Sequence, residues 1–332
     1  MTALPVGMAG IREARRRIAG HVRRTPLVPS TALSDRLGRP VSLKLEHLQI
    51  TGSFKLRGAT NAILSLAAEQ AQRGVVGVST GNHGRGLAHA AKVAGVPCTI
   101  CMSALVPANK VEAIRALGAD VRIVGRSQDD AQVEVDRLVA EEGMTMLPPF
   151  DHPDIIAGQG TLGLEILEEC PEVETVLVPL SGGGLIAGLA LAIKETQPDV
   201  RVVGVSMARG AAMHASQQAG KPVLVEELAT LADSLGGGVG LDNRYTFRMV
   251  RDLVDEILLL DEAEIAAAIR HVYWQEQEIV EGSGSVGVGA ILAGKVRAAG
   301  PTVVLLSGRN IDMALHHRII SGEDVDVAEE GT

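Results

Sequence analysis

From residue 74 onward the chain alternates short apolar runs with amphipathic runs of helical period, and few architectures accept that order. Strands are expected at 74–80, 98–102 and 120–124, with helices at 83–94, 107–117 and 129–142. A second, more apolar series puts strands at 175–180, 200–206, 256–260 and 302–306, and helices at 155–169, 185–196, 262–279 and 286–298. A strand, a helix and a further strand close into a parallel pair through a right-handed crossover, which covers both sheet faces and leaves ligands to gather at the carboxyl ends of the strands. The expected fold class is α/β, with two open, twisted, mostly parallel sheets flanked by helices. At 332 residues the chain exceeds one comfortable core. It is expected to divide into a large unit of residues 1–70 and 152–322, a small unit of 71–151 and a frayed acidic tail at 323–332, with no regulatory domain beyond it.

The hydrophobic fraction is 46% but aromatics are only 2%, so burial falls to Ala, Val, Leu and Ile, as closely packed helices require. So few aromatics leave no platform for stacking nucleic-acid bases, and a net charge of −9 repels a polyanion. Arg15-Arg16-Arg17 reads as one face of an amphipathic first helix. No run reaches the ~18 to 20 apolar residues of a membrane helix, and the apolar N-terminal stretch precedes the basic cluster, the reverse of a secretory signal. Neither nucleic acid nor membrane is expected as a partner. Three cysteines cannot build a disulfide framework, which points to a reducing, cytoplasmic setting. Cys98 and Cys101 lie in one apolar strand, where residues three apart face opposite sides, so a zinc or redox pair is not expected.

Three loops carry the chemistry. Lys55 opens an apolar, Ala-rich helix in the run Gly52-Ser53-Phe54-Lys55-Leu56-Arg57-Gly58-Ala59, with Ser53 as its cap. An ammonium at a helix N-terminus opposes the macrodipole, and burial lowers its pKa further, toward the neutral amine that Schiff-base chemistry needs. Ser181-Gly182-Gly183-Gly184 turns an apolar strand directly into a helix, a geometry suited to a phosphate; the alternative is a tight turn that needs glycine only for packing. The nucleotide P-loop is excluded because no Gly-Lys-Ser/Thr closes the motif. Ser79-Thr80-Gly81-Asn82-His83 likewise ends a strand and opens a helix, offering amides to a carboxylate, with His83 read as a packing or capping side chain. Ser307, at the end of the last strand, can face the same crevice.

In this order, together with Lys44-x-Glu46, Ala157-Gly158-Gln159-Gly160-Thr161 and Leu306-Ser307-Gly308, these segments resemble the fold-type II pyridoxal-phosphate enzymes, specifically the threonine/serine dehydratase and serine racemase family. The match runs from His21 to Asn310. The resemblance implies a tryptophan synthase β-like fold whose larger unit binds the cofactor pyridoxal 5′-phosphate. Lys55 becomes the Schiff-base lysine and Phe54 its neighbour against the ring. Gly182, Gly183, Gly184 and Leu185 would hold the phosphate and Asn82 the ring oxygen, while Ser79, Thr80, Gly81, Asn82 and His83 would take the substrate carboxylate. Glu281 lies near the ring and Ser307 meets its nitrogen, where a neutral hydroxyl leaves the ring a moderate electron sink suited to β-elimination. The implied reaction is removal of the α-proton by Lys55, loss of a β-hydroxyl from a small amino-acid substrate, and release of a 2-oxo acid and ammonia. A homodimer is the family expectation. Racemisation or β-replacement are the alternatives within enzymes; a non-catalytic cofactor-binding sensor and a nucleotide-binding module are the alternatives outside that class.

Departures from the family pattern refine these expectations. Val205 to Ala212 carries no carboxylate where some relatives hold a divalent cation, so no metal site is expected. Thr80 stands where serine racemases place a catalytic serine, Arg85 replaces a glutamine, and Arg309 replaces a glycine. One of these arginines, or Arg209, is a candidate for reading an acidic group on a substrate such as 3-hydroxyaspartate. The overall texture is similar to the hydroxyectoine-utilisation dehydratase branch.

Overall fold

The computed structural model describes residues 4, 6–79, 81–106, 108–325 and 327. In chain order its strands are β1 (Leu27–Pro29), β2 (Val41–Lys44), β3 (Val75–Val78), β4 (Cys98–Met102), β5 (Asp120–Ile123), β6 (Thr145–Met146), β7 (Thr175–Pro179), β8 (Arg201–Met207), β9 (Glu256–Leu260) and β10 (Thr302–Leu305). The helices are α1 (Met8–Ile18), α2 (Thr31–Leu37), α3 (Lys55–Leu64), α4 (Ala68–Arg73), α5 (Asn82–Ala94), α6 (Ala108–Ala116), α7 (Gln128–Glu142), α8 (Pro153–Glu169), α9 (Gly184–Lys194), α10 (Ala212–Ala219), α11 (Thr246–Leu253), α12 (Glu262–Glu276), α13 (Gly282–Leu292) and α14 (Met313–Ile320).

Two sheets result, as the hydrophobic alternation requires. The larger has six strands in the order β1-β2-β10-β7-β8-β9, parallel except for β1, and the smaller has four in the order β5-β4-β3-β6, all parallel. The large sheet grows from β7 in two directions, β8 and β9 on one side, β10 and β2 on the other. A crevice opens at such a switch point. Leu305 pairs with Lys44, and Val304 with both Leu43 and Leu177, so β2 and β10 end level, β7 runs slightly further to Pro179, and their following loops share one edge.

Small residues let the helices approach closely. A Cβ on Gly188 would lie 2.1 Å from the Ile156 carbonyl oxygen, and one on Gly163 2.7 Å from that of Leu189, so α8 and α9 touch through backbone. Residues Gly184 to Ile193 of α9 are all buried, which accounts for its apolar character on every side. Cys98 packs in the cluster with Leu56 and Leu87, whereas Cys101 packs with Val76 and Val135 across the sheet. Burial pushes the two thiols up to about 12 and about 11.

A buried polar network fixes α3 against β2 and α8. The Arg57 guanidinium donates to Glu46 at 2.8 and 2.9 Å and to Glu165 at 2.6 and 3.0 Å. Lys44 Nζ reaches Glu165 and Glu169, both at 2.9 Å, and the Thr25 carbonyl at 2.7 Å. Thr25 Oγ1 donates to Glu46 at 2.6 Å. Burial pushes the Glu165 carboxyl up, but Arg57 and Lys44 outweigh it and hold it below the ordinary carboxylate range. Arg57 lies two residues from Lys55, so the network sets where that lysine starts its helix.

Several local expectations are corrected. Ser53 does not cap α3: its backbone bridges Gly308, its hydroxyl has no partner, and Phe54 takes the cap position in a helical conformation. The last of the long helices begins at Gly282 rather than 286 and ends at Leu292, because the glycines that suggest a loop serve contact instead. A Cβ on Gly282 would meet the Leu231 carbonyl oxygen at 2.1 Å, and one on Gly284 that of Gly308 at 2.5 Å. α12 stops at Glu276, where Gln277 adopts φ 59°. The tail expectation falls partly outside the described residues; within them Glu323 pairs with Arg318 and Val325 is buried in the core. Among the described residues no helix is long and apolar enough to cross a membrane.

Candidate active site

A cavity of about 500 Å³ opens between the two sheets at the carboxyl ends of their strands. Lys55, the first residue of α3, lines it, with Nζ 2.8 Å from the Pro149 carbonyl oxygen and 5.4 Å from the centre of the Phe54 ring. Burial lowers its pKa from 10.5 to about 8, with Glu281 pulling the other way. About one amine in ten is therefore neutral at pH 7, and about half at pH 8, far more than for an exposed lysine. Competitive acetylation of the cofactor-free protein, read by peptide mass spectrometry, should show Lys55 half-maximally reactive near pH 8, whereas an exposed lysine follows the ordinary value of 10.5.

Opposite Lys55 the chain leaves β7, passes through Ser181 to Gly183 and enters α9 at Gly184, all along the cavity wall. Gly183 has φ 90°, which only glycine adopts readily. A Cβ on Gly182 would lie 2.4 Å from the Phe150 ring, and one on Gly184 2.9 Å from Phe150 backbone. The amides of the first turn of α9 have no acceptor within the helix, and its dipole is positive here. Bare backbone N–H groups at a wall that side chains cannot fill make an anion cradle.

The small sheet supplies the facing loop after β3. Ser79, Gly81, Asn82 and His83 all line the cavity; Thr80 lies outside the described residues. Ser79 Oγ accepts from Gly84 N at 3.0 Å, holding the turn. Asn82 Nδ2 donates to Glu281 Oε1 at 2.6 Å, and Asn310 Nδ2 donates to Asn82 Oδ1. Burial, then Asp233, pushes the Glu281 carboxyl up to about 7, against the hydrogen bonds from Asn82 and from Asn310 N at 3.0 Å. His83 is buried, with Nε2 2.9 Å from the Leu147 carbonyl oxygen. Burial and the nearby Lys55 lower its pKa to about 4, so it stays neutral at physiological pH as a packing imidazole. Ser307 lines the same space, and its carbonyl accepts from Phe54 N at 3.1 Å, tying the end of β10 to the lysine loop.

The structure thus gathers Lys55, Phe54, Asn82, Gly182 to Leu185, Glu281 and Ser307 around one cavity. The three arginines are not among its lining residues: Arg309 is exposed, and Arg209 Nη1 donates to the Ala229 carbonyl at 3.2 Å. The lining instead includes residues the motifs did not announce, among them Pro149, Phe150, Lys110, Asp129, Glu227 and Ser283. No sequence signal singled them out, except that Phe150 is one of only three phenylalanines. Lys110 Nζ lies 3.7 Å from Asp233, an ion pair that joins α6 of the smaller sheet to the loop at 233–235.

Comparison with known proteins converges on one family. Residues 18–308 match the model described as "Pyridoxal-phosphate dependent enzyme". The chain is 61% identical over 318 residues to a Sinorhizobium fredii protein named "Putative threonine dehydratase", covering 96% of both chains. It is 45% identical over 304 residues to an L-threonine ammonia-lyase of Geobacter sulfurreducens, covering 91% of this chain and 75% of that one. The solved structure of maize serine racemase superposes with a TM-score of 0.89 at 35% identity, covering 95% of this chain and 97% of that one.

Proposed function

Since the chain belongs to the pyridoxal-phosphate dependent enzymes, we propose that it eliminates the β-hydroxyl of a neutral 3-hydroxy amino acid of the threonine or serine type, with Lys55 as the residue that carries the cofactor. The enzyme class, a pyridoxal-phosphate dependent carbon–oxygen lyase of the threonine dehydratase kind, follows from its relatives. The fit of the cofactor rests on the site itself: an amine of lowered pKa, a glycine cradle that no side chain fills, and a hydroxyl at Ser307 share one cavity. The chemistry such a group brings when bound is an aldehyde that joins the substrate amine and a conjugated ring that delocalises the electron pair left on Cα.

The protein's own part is positioning and proton transfer. The amides at Gly182, Gly183, Gly184 and Leu185 would hold the phosphate without spending a cationic side chain. Asn82, held by Glu281 and Asn310, would bond the ring oxygen, and the loop from Ser79 to His83 would take the substrate carboxylate. Lys55 Nζ, neutral in part near pH 8, would accept the proton from the substrate Cα and stand ready to return it to the departing hydroxyl. Ser307 would offer the ring nitrogen an uncharged hydroxyl rather than a carboxylate, which would make the bound group a moderate electron sink suited to elimination.

The charge of the lining argues for the neutral substrate. Besides Lys55 and Glu281, it presents Asp129, Glu227 and Asp233 against Lys110, while no arginine is among the lining residues and Arg85, half-buried behind them, is already offset by the charge of Glu281. A second carboxylate on the substrate would meet repulsion there. A panel of threonine, serine and both 3-hydroxyaspartate diastereomers decides the matter. Threonine or serine should give 2-oxo acid and ammonia with a kcat/KM at least about tenfold above either diastereomer, a preference near 1.4 kcal/mol. A preference for a 3-hydroxyaspartate, lost on Arg→Ala at position 85, 209 or 309, would reverse the assignment. D-amino acid or thioether as the main product would move the enzyme to racemisation or β-replacement.

A further inference from the structure

We propose that Ser283 is an additional cofactor-binding residue, whose hydroxyl hydrogen-bonds at the same edge of the ring as Ser307; this rests on the reading above, in which Ser307 meets the ring nitrogen. Ser283 is 1% exposed, and its hydroxyl has no hydrogen-bond partner. Three other buried hydroxyls among the described residues, those of Thr51, Ser53 and Thr60, are in the same condition, but of the four only Ser283 lines the cavity. A desolvated hydroxyl without a partner destabilises a fold, and in a ligand site the missing partner is most simply an atom of the ligand.

The helix explains why the protein itself offers nothing. Serines inside helices usually donate to a carbonyl one turn back, as Ser285 does to Gly282 at 3.0 Å. α13 begins at Gly282, so Ser283 has no preceding helical turn to bond. Its direction is fixed by its neighbour on the same face, since residues four apart on a helix lie one above the other. A Cβ on Gly287 would meet Val304 at 2.7 Å and Leu177 at 3.4 Å, so this face of α13 lies on β10 and β7. One turn nearer the helix start, Ser283 faces the region beyond the carboxyl ends of those strands, where Ser307 and Ser181 stand. The turn is clamped there, because Glu281 N donates to the Gly308 carbonyl at 3.1 Å. Two hydroxyls therefore converge on one end of the cavity, one from the loop after β10 and one from the start of α13.

The test separates a ligand contact from a structural one. The full-length chain is freed of cofactor, its thermal midpoint is measured, and pyridoxal 5′-phosphate is titrated back into the wild type, Ser283→Ala and Ser285→Ala. Ser283→Ala should bind the cofactor about tenfold more weakly, while its cofactor-free midpoint stays at or above that of the wild type, since the change removes an unbonded hydroxyl. Ser285→Ala should keep wild-type affinity. Cofactor affinity of Ser283→Ala within about twofold of wild type, or a loss matched by a fall in the cofactor-free midpoint, would overturn the assignment. A wild-type chain that binds no pyridoxal 5′-phosphate would overturn the functional reading beneath it.

Discussion

Lys55→Ala is expected to lower turnover of threonine by at least about a thousandfold, because one side chain both anchors the cofactor and moves the α-proton. No neighbouring group can take over. His83 is the nearest imidazole candidate, but its lowered pKa of about 4 and its bond to the Leu147 carbonyl leave it a weak, misdirected base. Glu281, raised to about 7, is engaged with Asn82 and Asn310. The fold should be unharmed, since the one side-chain hydrogen bond described for Lys55 is to the Pro149 carbonyl, and alanine is a good residue for the start of a helix. Steady-state 2-oxo acid formation, compared with the denaturation curve of the same preparation, checks both halves. Activity within about tenfold of wild type would remove Lys55 from the chemistry.

The second large effect lies two residues away. Arg57→Leu should destabilise the protein by about 3 to 5 kcal/mol, since it strips the cation from two buried carboxylates and leaves Glu46 and Glu165 facing each other. Lys44 compensates only in part, because it reaches Glu165 and Glu169 but makes no bond to Glu46 among those described. The loss should also reach the site, as the guanidinium pins the first turn of α3 to Glu46 in the turn after β2 and to α8. Urea unfolding of the variant measures it; a change under about 1 kcal/mol would show that the network is no more than a surface-type ion cluster.

Much of this was legible in the sequence, for identifiable reasons. Strand and helix positions followed from hydrophobic period, and Cys98–Met102 and Glu256–Leu260 fall where the pattern places them because both are apolar runs with polar boundaries. The lysine, asparagine and glycine loops stood out because each joins a strand end to a helix start, the place where an α/β fold collects its ligands. Where the reading failed, the cause was tertiary contact. Gly282, Ser283 and Gly284 look like a loop until the carbonyls of Leu231 and Gly308 are seen pressed against them. Ser53 looks like a cap until its backbone pairs with Gly308. Arg85, Arg209 and Arg309 are not among the lining residues, although Arg85 is half-buried and its charge interacts with that of Glu281 in the wall, so residue type alone does not rank the three. Lys110 and Asp233 are brought together across more than a hundred residues, a pairing that no local pattern encodes.

The most direct measurement is chemical trapping of the loaded enzyme. The holoprotein is treated with borohydride, digested and mapped by mass spectrometry. The account predicts a single stable phosphopyridoxyl adduct on the peptide that carries Lys55, and its absence from Lys55→Ala. An adduct on another lysine, or none on the wild type, would contradict it.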